Sequence, residues 1–301
     1  MDAVSNDLEN KTPLLWDYVA QVRPDVESAL ALYLPAAPPH VPTRFNEAAH
    51  YALFPGGKRL RPVLTLLGAE LVGGTRQEAL SAAVAVEFVH TSSLIFDDLP
   101  CMDDAAERRE RRPLHKKYGE GLAVLVALGF LNTAYGLVFV GVAGDTARAV
   151  AAHHELVECI GASGMVAGQS VDLAATGHSA PESVRNLKTS ALMRLALRLG
   201  AIRAGGDARQ LTALARYAQL MGDAYQISDD VLDLAEDAAL AQDFARALTL
   251  THSDGAEAAR QRVASLTGKA QAALLEVFGA TPPALVLCAL ADYIAARTKS
   301  V

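Results

Sequence analysis

The 301-residue chain has few cysteines, few aromatic residues and no excess of positive charge. Its three cysteines, Cys101, Cys159 and Cys288, form no CxxC pair. This argues against a disulfide framework or a cysteine zinc site and favours reduced thiols in a cytoplasmic protein. No basic-then-apolar targeting signal opens the sequence. The net charge of −7 argues against nucleic acid as a partner.

Aromatic residues make up 6% of the chain and hydrophobic residues 51%, many of them alanine and leucine, which favours helices over a β-rich fold. The length suits one large all-helical domain over residues 1–301, with a disordered tail at 1–12. Apolar spacing and the positions of glycine and proline predict the helices. We expect helices over 14–34 with an interruption at Pro24, and over 45–54, 63–72, 76–96, 148–167, 182–203, 208–234, 255–278 and 284–297.

One long stretch, residues 121–144, contains no charged residue. Its length alone makes it a candidate transmembrane helix. The alternative is a helix buried on all sides within a large bundle. We favour the bundle and predict no membrane span, because the stretch is glycine-rich and includes Asn132 and Thr133, and no second such segment exists.

Two acidic stretches, residues 97–103 and 229–233, each follow a mostly apolar run. Two like charges about 4 Å apart repel by roughly 4 kcal/mol at an effective dielectric near 20, so clustered carboxylates close to a core need cations. Oxygen ligands of this kind suit Mg²⁺, which usually also binds phosphate oxygens of a substrate. The sequence therefore predicts a Mg²⁺–diphosphate site with two acidic walls.

The two stretches differ in local geometry. On a helix, Asp103 would lie about 120° around the axis from Asp97, and Pro100 breaks the helix, so a turn must bring Asp103 back. In the second stretch Asp229 and Asp233 are four residues apart and share a helix face, which Gln226 joins. The alternative for residues 97–103 is a polar helix end, which is unfavourable without a cation because carboxylates meet the negative end of the helix dipole.

Basic residues occur at two places near these stretches. Gly56-Gly57 precedes Lys58 and Arg61 at a predicted helix start, an arrangement that can bind an anion or can be an ordinary solvated turn. Arg108 and Arg109 follow the first acidic stretch and face either the acidic site or solvent. Solvent is favoured for the nearby cations Arg111, Arg112, Lys116 and Lys117. His90, before the first stretch, reads from spacing alone as a packed core residue.

Taken together, the motifs resemble those of the trans-prenyl diphosphate synthases, the farnesyl and geranylgeranyl diphosphate synthase family. The matching segments run in the family's order from about residue 45 to the C-terminus. They are GGKRLRP (56–62), HTSSLIFDDLPCMDD (90–104), the arginine pair 108–109, YGE (118–120), GQSVDL (168–173), KTSAL (188–192) and YQISDDVLD (225–233).

The resemblance implies an all-α isoprenoid-synthase-type helical bundle around a central cavity, usually a homodimer, with about three Mg²⁺ ions. It implies a short-chain prenyltransferase in which an allylic diphosphate (dimethylallyl, geranyl or farnesyl) ionises and isopentenyl diphosphate attacks the cation. The implied metal ligands are Asp97, Asp98, Asp103, Asp229 and Asp233, with Asp230 in support. Lys58, Arg61, His90 and Arg109 would bind isopentenyl diphosphate, and Arg108, Lys188, Thr189 and Gln226 the allylic diphosphate. Asp97, Asp98, Asp103, Lys188 and Asp229 would be the catalytic set.

Product length in this family depends on residues just upstream of the first aspartate motif. Ser92 and Ser93 are small, and farnesyl synthases with the two-residue insertion seen here (Pro100-Cys101) tend to carry an aromatic residue at the position of Ser92. The resemblance therefore implies geranylgeranyl diphosphate as the product, with farnesyl diphosphate as the alternative.

The chain departs from the family pattern mainly after the second motif. A Gly-Lys-Asp loop and a further lysine are replaced by Ala241-Gln242-Asp243 and Arg246. Their loss removes two charge-assisted contacts of order 1.5–3 kcal/mol each. Two alternatives follow: a catalytically weakened paralogue acting as a partner or regulatory subunit, and a terpene cyclase on the same fold.

Overall fold

A computed structural model describes residue 9 and residues 11–54, 56–141, 145–174, 187–240 and 255–298, and its regular elements in these ranges are helices. The predicted all-α class is confirmed. The helices are α1 (Pro13–Leu32), α2 (Phe45–Leu53), α3 (Leu60–Leu71), α4 (Arg76–Asp97), α5 (Leu114–Tyr118), α6 (Glu120–Leu137), α7 (Thr146–Ile160), α8 (Met165–Ala174), α9 (Leu187–Arg203), α10 (Ala208–Leu240), α11 (Gly255–Phe278) and α12 (Pro282–Arg297).

The core forms where α3, α4, α6, α9 and α10 pack side by side. Helix α9 contacts α3 and α10, α3 contacts α4, and α4 contacts α6. The fully buried rings of Phe88 and Phe130 join α4 to α6, with centroids 5.1 Å apart. Helix α12 packs on α10, α11 and α1, so the last helix lies beside the first. This arrangement supports the two helices, α4 and α10, that carry the acidic stretches.

Glycine permits the closest helix contact in the core. A Cβ on Gly200 of α9 would lie 1.8 Å from the carbonyl oxygen of Thr65, and one on Gly68 of α3 would lie 2.1 Å from that of Leu197. Both oxygens belong to helix backbone, which cannot move aside as a flexible side chain can, so only glycine fits at these positions. The backbones of α3 and α9 are therefore in direct contact just behind the site.

The predicted interruption at Pro24 is wrong, because α1 runs through this residue without a break. Proline inside a helix costs about 3 kcal/mol or more. Val22 and Val26, on either side of it, are both fully buried. Burying such a side chain contributes roughly 1.5–3 kcal/mol, so packing on both sides offsets the local cost.

The predicted helix over 148–167 is also corrected. Helix α7 ends at Ile160, and α8 begins only at Met165. The turn between them contains Gly161 and Gly164, whose added Cβ atoms would lie 2.7 Å and 2.0 Å from carbonyl oxygens of the end of α7. The disordered tail predicted over 1–12 lies largely outside the described residues, but Thr12 is buried.

The charge-free stretch is not buried on all sides, contrary to the prediction. Helix α6 ends at Leu137, and its outer face leaves Leu125 58% and Leu128 48% exposed. By length and composition alone, α4 and α6 could each cross a membrane, which is weak evidence because core helices pass the same test. In α4 most of the apolar window is buried in the core, whereas in α6 only a third is.

Candidate active site

The first acidic stretch forms a tight turn at the end of α4. The helix ends at Asp97, and the amide of Asp103 donates to the carbonyl oxygen of Asp97 at 3.0 Å. Asp104 adopts the left-handed conformation, with φ of 44°. The chain thus folds back on itself, and Asp103 returns to Asp97 as the spacing required.

Asp98, the middle carboxylate, is buried and held by Arg108. The Nε of Arg108 donates to Asp98 Oδ1 at 2.9 Å, and its Nη2 contacts the same oxygen. The hydrogen bond to Asp98 raises the pKa of Arg108 against the effect of burial, and the charges of Asp97 and Asp103 add to it. Arg108 therefore faces all three carboxylates, while 39% of its side chain stays exposed.

A second group of cations lies on the inner side of α3 and α4. Arg61 Nη1 donates to His90 Nε2 at 3.2 Å, and its Nε is buried with no hydrogen-bond partner among the described residues. Burial and the charges of Arg61 and Arg109 hold the pKa of His90 well below its usual range, so His90 is a neutral acceptor. Burial likewise lowers the pKa of Arg61 and of Arg109. The charge of Glu87 opposes this lowering in both arginines.

Lys58, which precedes α3, is surrounded by residues distant in sequence. Its ammonium group lies 4.6 Å from the ring centroid of Trp16 and 3.3 Å from the hydroxyl of Tyr293. It also forms an ion pair with Glu9 at 2.6 Å. A carboxylate therefore contacts the ammonium group that the resemblance assigns to the diphosphate of isopentenyl diphosphate.

Arg59 is a residue whose importance the sequence analysis missed. It has a left-handed backbone, with φ of 54°, and its side chain is 1% exposed. Its guanidinium group binds Glu27 at 2.9 Å, Glu87 at 2.6 Å and the carbonyl oxygen of Leu53 at 2.9 Å. This buried network anchors the loop that carries Lys58 and the start of α3, which carries Arg61. Glu87, a carboxylate in the middle of the apolar run of α4, was the signal that a buried cation must face it.

The second acidic stretch lies midway along α10 and is contacted from α12. Arg297 Nη2 binds Asp229 Oδ1 at 2.6 Å, and Gln226 Nε2 donates to Asp230 Oδ1 at 3.2 Å. The charge of Asp229 also acts on Arg61, which places the second stretch within electrostatic range of the cation pocket. The side chains of Asp233, Lys188 and Thr189 lie outside the described residues.

The two small residues upstream of the first motif have different surroundings. Ser92 is buried, and its hydroxyl donates to the carbonyl oxygen of Ala127 in α6 at 3.0 Å. Ser93 donates to the carbonyl oxygen of His90 in its own helix at 2.9 Å. Ser92 therefore faces the contact between α4 and α6.

The donor set fits Mg²⁺ only if a substrate adds ligands. Within the part of the chain that the structure describes, no group of three or more Asp, Glu, His or Cys residues could hold a metal ion by itself. Mg²⁺ commonly takes one or two carboxylates and completes its shell with water and substrate phosphate oxygens. The oxygen-only chemistry of Asp97, Asp103 and Asp229 agrees with that mode of binding.

Comparison with known proteins agrees with this geometry. Residues 42–245 match the model of the polyprenyl synthetase family. The chain is 39% identical to the chloroplastic geranylgeranyl pyrophosphate synthase of Capsicum annuum, over 93% of this chain and 78% of that one. It is 38% identical to geranylgeranyl pyrophosphate synthase 11 of Arabidopsis thaliana, also chloroplastic, over 94% and 83%.

Two further points follow from the names of the relatives. The predicted cytoplasmic location is contradicted, because these similar synthases are chloroplastic. A relative of 35% identity, covering 97% of this chain and 82% of its own length, is the large subunit 1 of a heterodimeric geranylgeranyl pyrophosphate synthase of Arabidopsis thaliana.

Solved structures show the same fold. An FPP/GFPP synthase from Zymomonas mobilis superposes with a TM-score of 0.81 at 32% identity, over 94% of this chain and 99% of that one. A geranyltransferase from Legionella pneumophila gives 0.82 at 28% identity, over 96% and 99%. The resemblance seen in the sequence motifs is confirmed, and the chain belongs to the polyprenyl synthetase family.

Proposed function

We propose that the protein is a short-chain trans-prenyltransferase that condenses isopentenyl diphosphate with an allylic diphosphate and makes geranylgeranyl diphosphate. The observation that carries the proposal is the pocket around Arg61, where a buried guanidinium group lies beside a neutral histidine and within range of Asp229. Its buried Nε has no hydrogen-bond partner among the described residues, and a bound diphosphate would supply an acceptor that offsets this cost.

The cation pocket suits isopentenyl diphosphate. Arg61 offers a buried charged donor, and Arg109 and Lys58 offer more exposed ones. His90, as a neutral acceptor, orients the Arg61 guanidinium group toward the ligand. A diphosphate at Lys58 would compete with Glu9 for the same ammonium group.

The acidic walls suit the allylic diphosphate. Asp97, Asp103 and Asp229, with Asp98 and Asp233 in support, would hold Mg²⁺, whose charge would stabilise the diphosphate as it leaves. Arg108 is oriented by Asp98 and offers a further cation on the same side. Lys188, Thr189 and Gln226 complete the predicted contacts. The allylic cation formed by loss of diphosphate is attacked by the double bond of isopentenyl diphosphate, and a proton is then lost.

A twenty-carbon product is supported by the small side chain of Ser92 and by the names of the similar plant synthases. The alternative, farnesyl diphosphate, is favoured by the name of the FPP/GFPP synthase with the same fold. A bulky residue at position 92 would press on α6 through the Ser92–Ala127 contact and shorten the space available to the growing chain.

The test is an elongation assay with purified protein, Mg²⁺, isopentenyl diphosphate and labelled dimethylallyl, geranyl or farnesyl diphosphate. We expect a twenty-carbon product, and expect Asp97→Asn to reduce its rate by a factor of 10² or more, as loss of electrostatic stabilisation typically does. Absence of elongation with all three primers would rule the proposal out.

A second candidate function is that of a weakly active partner subunit. It is favoured by the replacement of the lysines after the second motif, at residues 241–246, which lie outside the described residues. The name of the heterodimeric relative agrees with it. In the elongation assay this candidate predicts little product from the protein alone and a large increase when a related synthase subunit is added.

We further propose that the protein is a homodimer formed through α6 and α7. Leu125 and Leu128 of α6 are about half exposed on one face, and Val150 and Val157 of α7 are exposed seven residues apart, also on one face. Exposed apolar side chains on the faces of two helices agree with an interaction site there. Leu125→Glu should shift the mass measured by light scattering from dimer to monomer, whereas Leu285→Glu, on α12, should not.

A further inference from the structure

The last helix contributes an arginine to the acidic site. Arg297, at the end of α12, binds Asp229 through Nη2 at 2.6 Å, and its guanidinium carbon lies 4.6 Å from the ring centroid of Tyr225. Its side chain is only 15% exposed. A carboxylate and an aromatic face therefore hold the guanidinium group in one orientation.

One edge of this guanidinium group forms no hydrogen bond to the described residues. Nη1 of Arg297 is buried and has no hydrogen-bond partner among the described residues. A guanidinium group is always charged in proteins. A buried charged donor without an acceptor is costly, which points to an acceptor that arrives with a ligand.

Arg297 lies at the second acidic stretch, and this chain lacks the lysines that the family carries after that stretch. The family's lysines after the second aspartate motif are replaced by Ala241-Gln242-Asp243 and Arg246. An allylic diphosphate bound between the acidic walls needs cations besides Mg²⁺. Arginine is suited to bind a carboxylate with one edge and a phosphate with another, because its donors form a planar fork.

We propose that Arg297 is a diphosphate-binding residue of the allylic subsite: Nη2 holds Asp229 while Nη1 donates to a phosphate oxygen. The proposal rests on the proposed prenyltransferase function, because it assumes a diphosphate beside Asp229. It assigns a binding role to α12, a helix beyond the part of the chain that matches the family model.

The experiment measures binding of inorganic pyrophosphate to the full chain by calorimetry, with Mg²⁺ and separately with EDTA. We expect Arg297→Gln to weaken binding about tenfold or more in both conditions, as loss of a charge-assisted hydrogen bond does. The condition without metal separates direct phosphate contact from an effect on Asp229 as a metal ligand. Arg297→Lys keeps the charge with fewer donors and should lie between Gln and wild type.

The matched control is Arg260→Gln. Arg260 Nε donates to the carbonyl oxygen of Thr298 at 2.8 Å, so its loss loosens the end of α12 without removing a donor at the site. The control should bind pyrophosphate like wild type. Equal affinities of wild type and Arg297→Gln in EDTA would overturn the proposal, as would an equal loss in Arg260→Gln. If Arg297→Gln does not fold, Arg297→Lys decides by the same comparison.

Failure of this inference is distinguishable from failure of the proposed function. If wild type elongates no primer, the proposed function is refuted, whatever the measured affinity for pyrophosphate. If wild type makes the twenty-carbon product and Arg297→Gln keeps both its pyrophosphate affinity and its KM for the allylic substrate, only the role of Arg297 fails. A rise in KM for the allylic substrate, with KM for isopentenyl diphosphate unchanged, supports the assignment.

Discussion

The buried ion pair between Arg59 and Glu87 can be tested by Glu87→Gln, which keeps the shape of the side chain and removes its charge. The side chains of Arg59 and Glu87 are 1% and 5% exposed, and their contact is 2.6 Å. Breaking a buried ion pair by removing one partner typically costs about 3–5 kcal/mol. Arg59 keeps its contact with Glu27 after the substitution, so we expect a loss at the low end, about 3 kcal/mol.

The assay is urea unfolding, combined with steady-state kinetics on each variant. Because Arg59 anchors the loop of Lys58 and the start of α3 with Arg61, Glu87→Gln should also raise KM for isopentenyl diphosphate more than it lowers kcat. The control is Glu47→Gln, which breaks the exposed Arg44–Glu47 pair and should change stability by less than about 1 kcal/mol. A loss below about 1 kcal/mol for Glu87→Gln would show that the buried pair does not anchor the loop.

Three further predictions concern the core and the site. Ser92→Phe should shift the main product in the elongation assay from twenty to fifteen carbons, while Ser92→Ala leaves it unchanged; a twenty-carbon product from both would refute the role of this position. Burial lowers the pKa of His90 in the folded protein. As the pH drops below about 6.5, this histidine binds a proton in the unfolded chain before it does so in the folded one. The free energy of unfolding should therefore fall with pH, by up to about 1.4 kcal/mol per pH unit from this group. Urea unfolding of His90→Gln should lack that part of the slope. Gly200→Ala should lower the free energy of unfolding by about 3 kcal/mol or more, because its Cβ would meet a backbone oxygen, whereas Gly268→Ala, with no atom within 4 Å, should be neutral or stabilising.

Local patterns predicted much of the fold and the identity of the acidic stretches. Helix ends are coded by nearby residues, and the turn that returns Asp103 to Asp97 followed from Pro100 and from the angle between successive helix positions. The prediction that residues 121–144 are buried on all sides was wrong for a physical reason. Apolar composition shows that a residue avoids water, but not whether the same chain or another one covers it.

The contacts that the sequence analysis missed join residues far apart in the chain. Arg297 and Asp229 are separated by 68 positions, and Tyr293 and Lys58 by 235. No periodicity or motif links such pairs, because each depends on how α12 packs against α10 and α1. The ion pair of Glu87 is an exception that the sequence could have indicated, because a carboxylate on a buried helix face requires a cation.

The sequence by itself determined the helical class and the family, and it predicted residues for metal and diphosphate binding, because these depend on composition, spacing and residue chemistry. Only the tertiary structure decided which cation each carboxylate meets. It assigned Arg108 to Asp98, Arg59 to Glu87 and Arg297 to Asp229, since pairing depends on distances set by helix packing. The second acidic stretch, which lacks the family's lysines after it, is contacted instead by an arginine from the last helix.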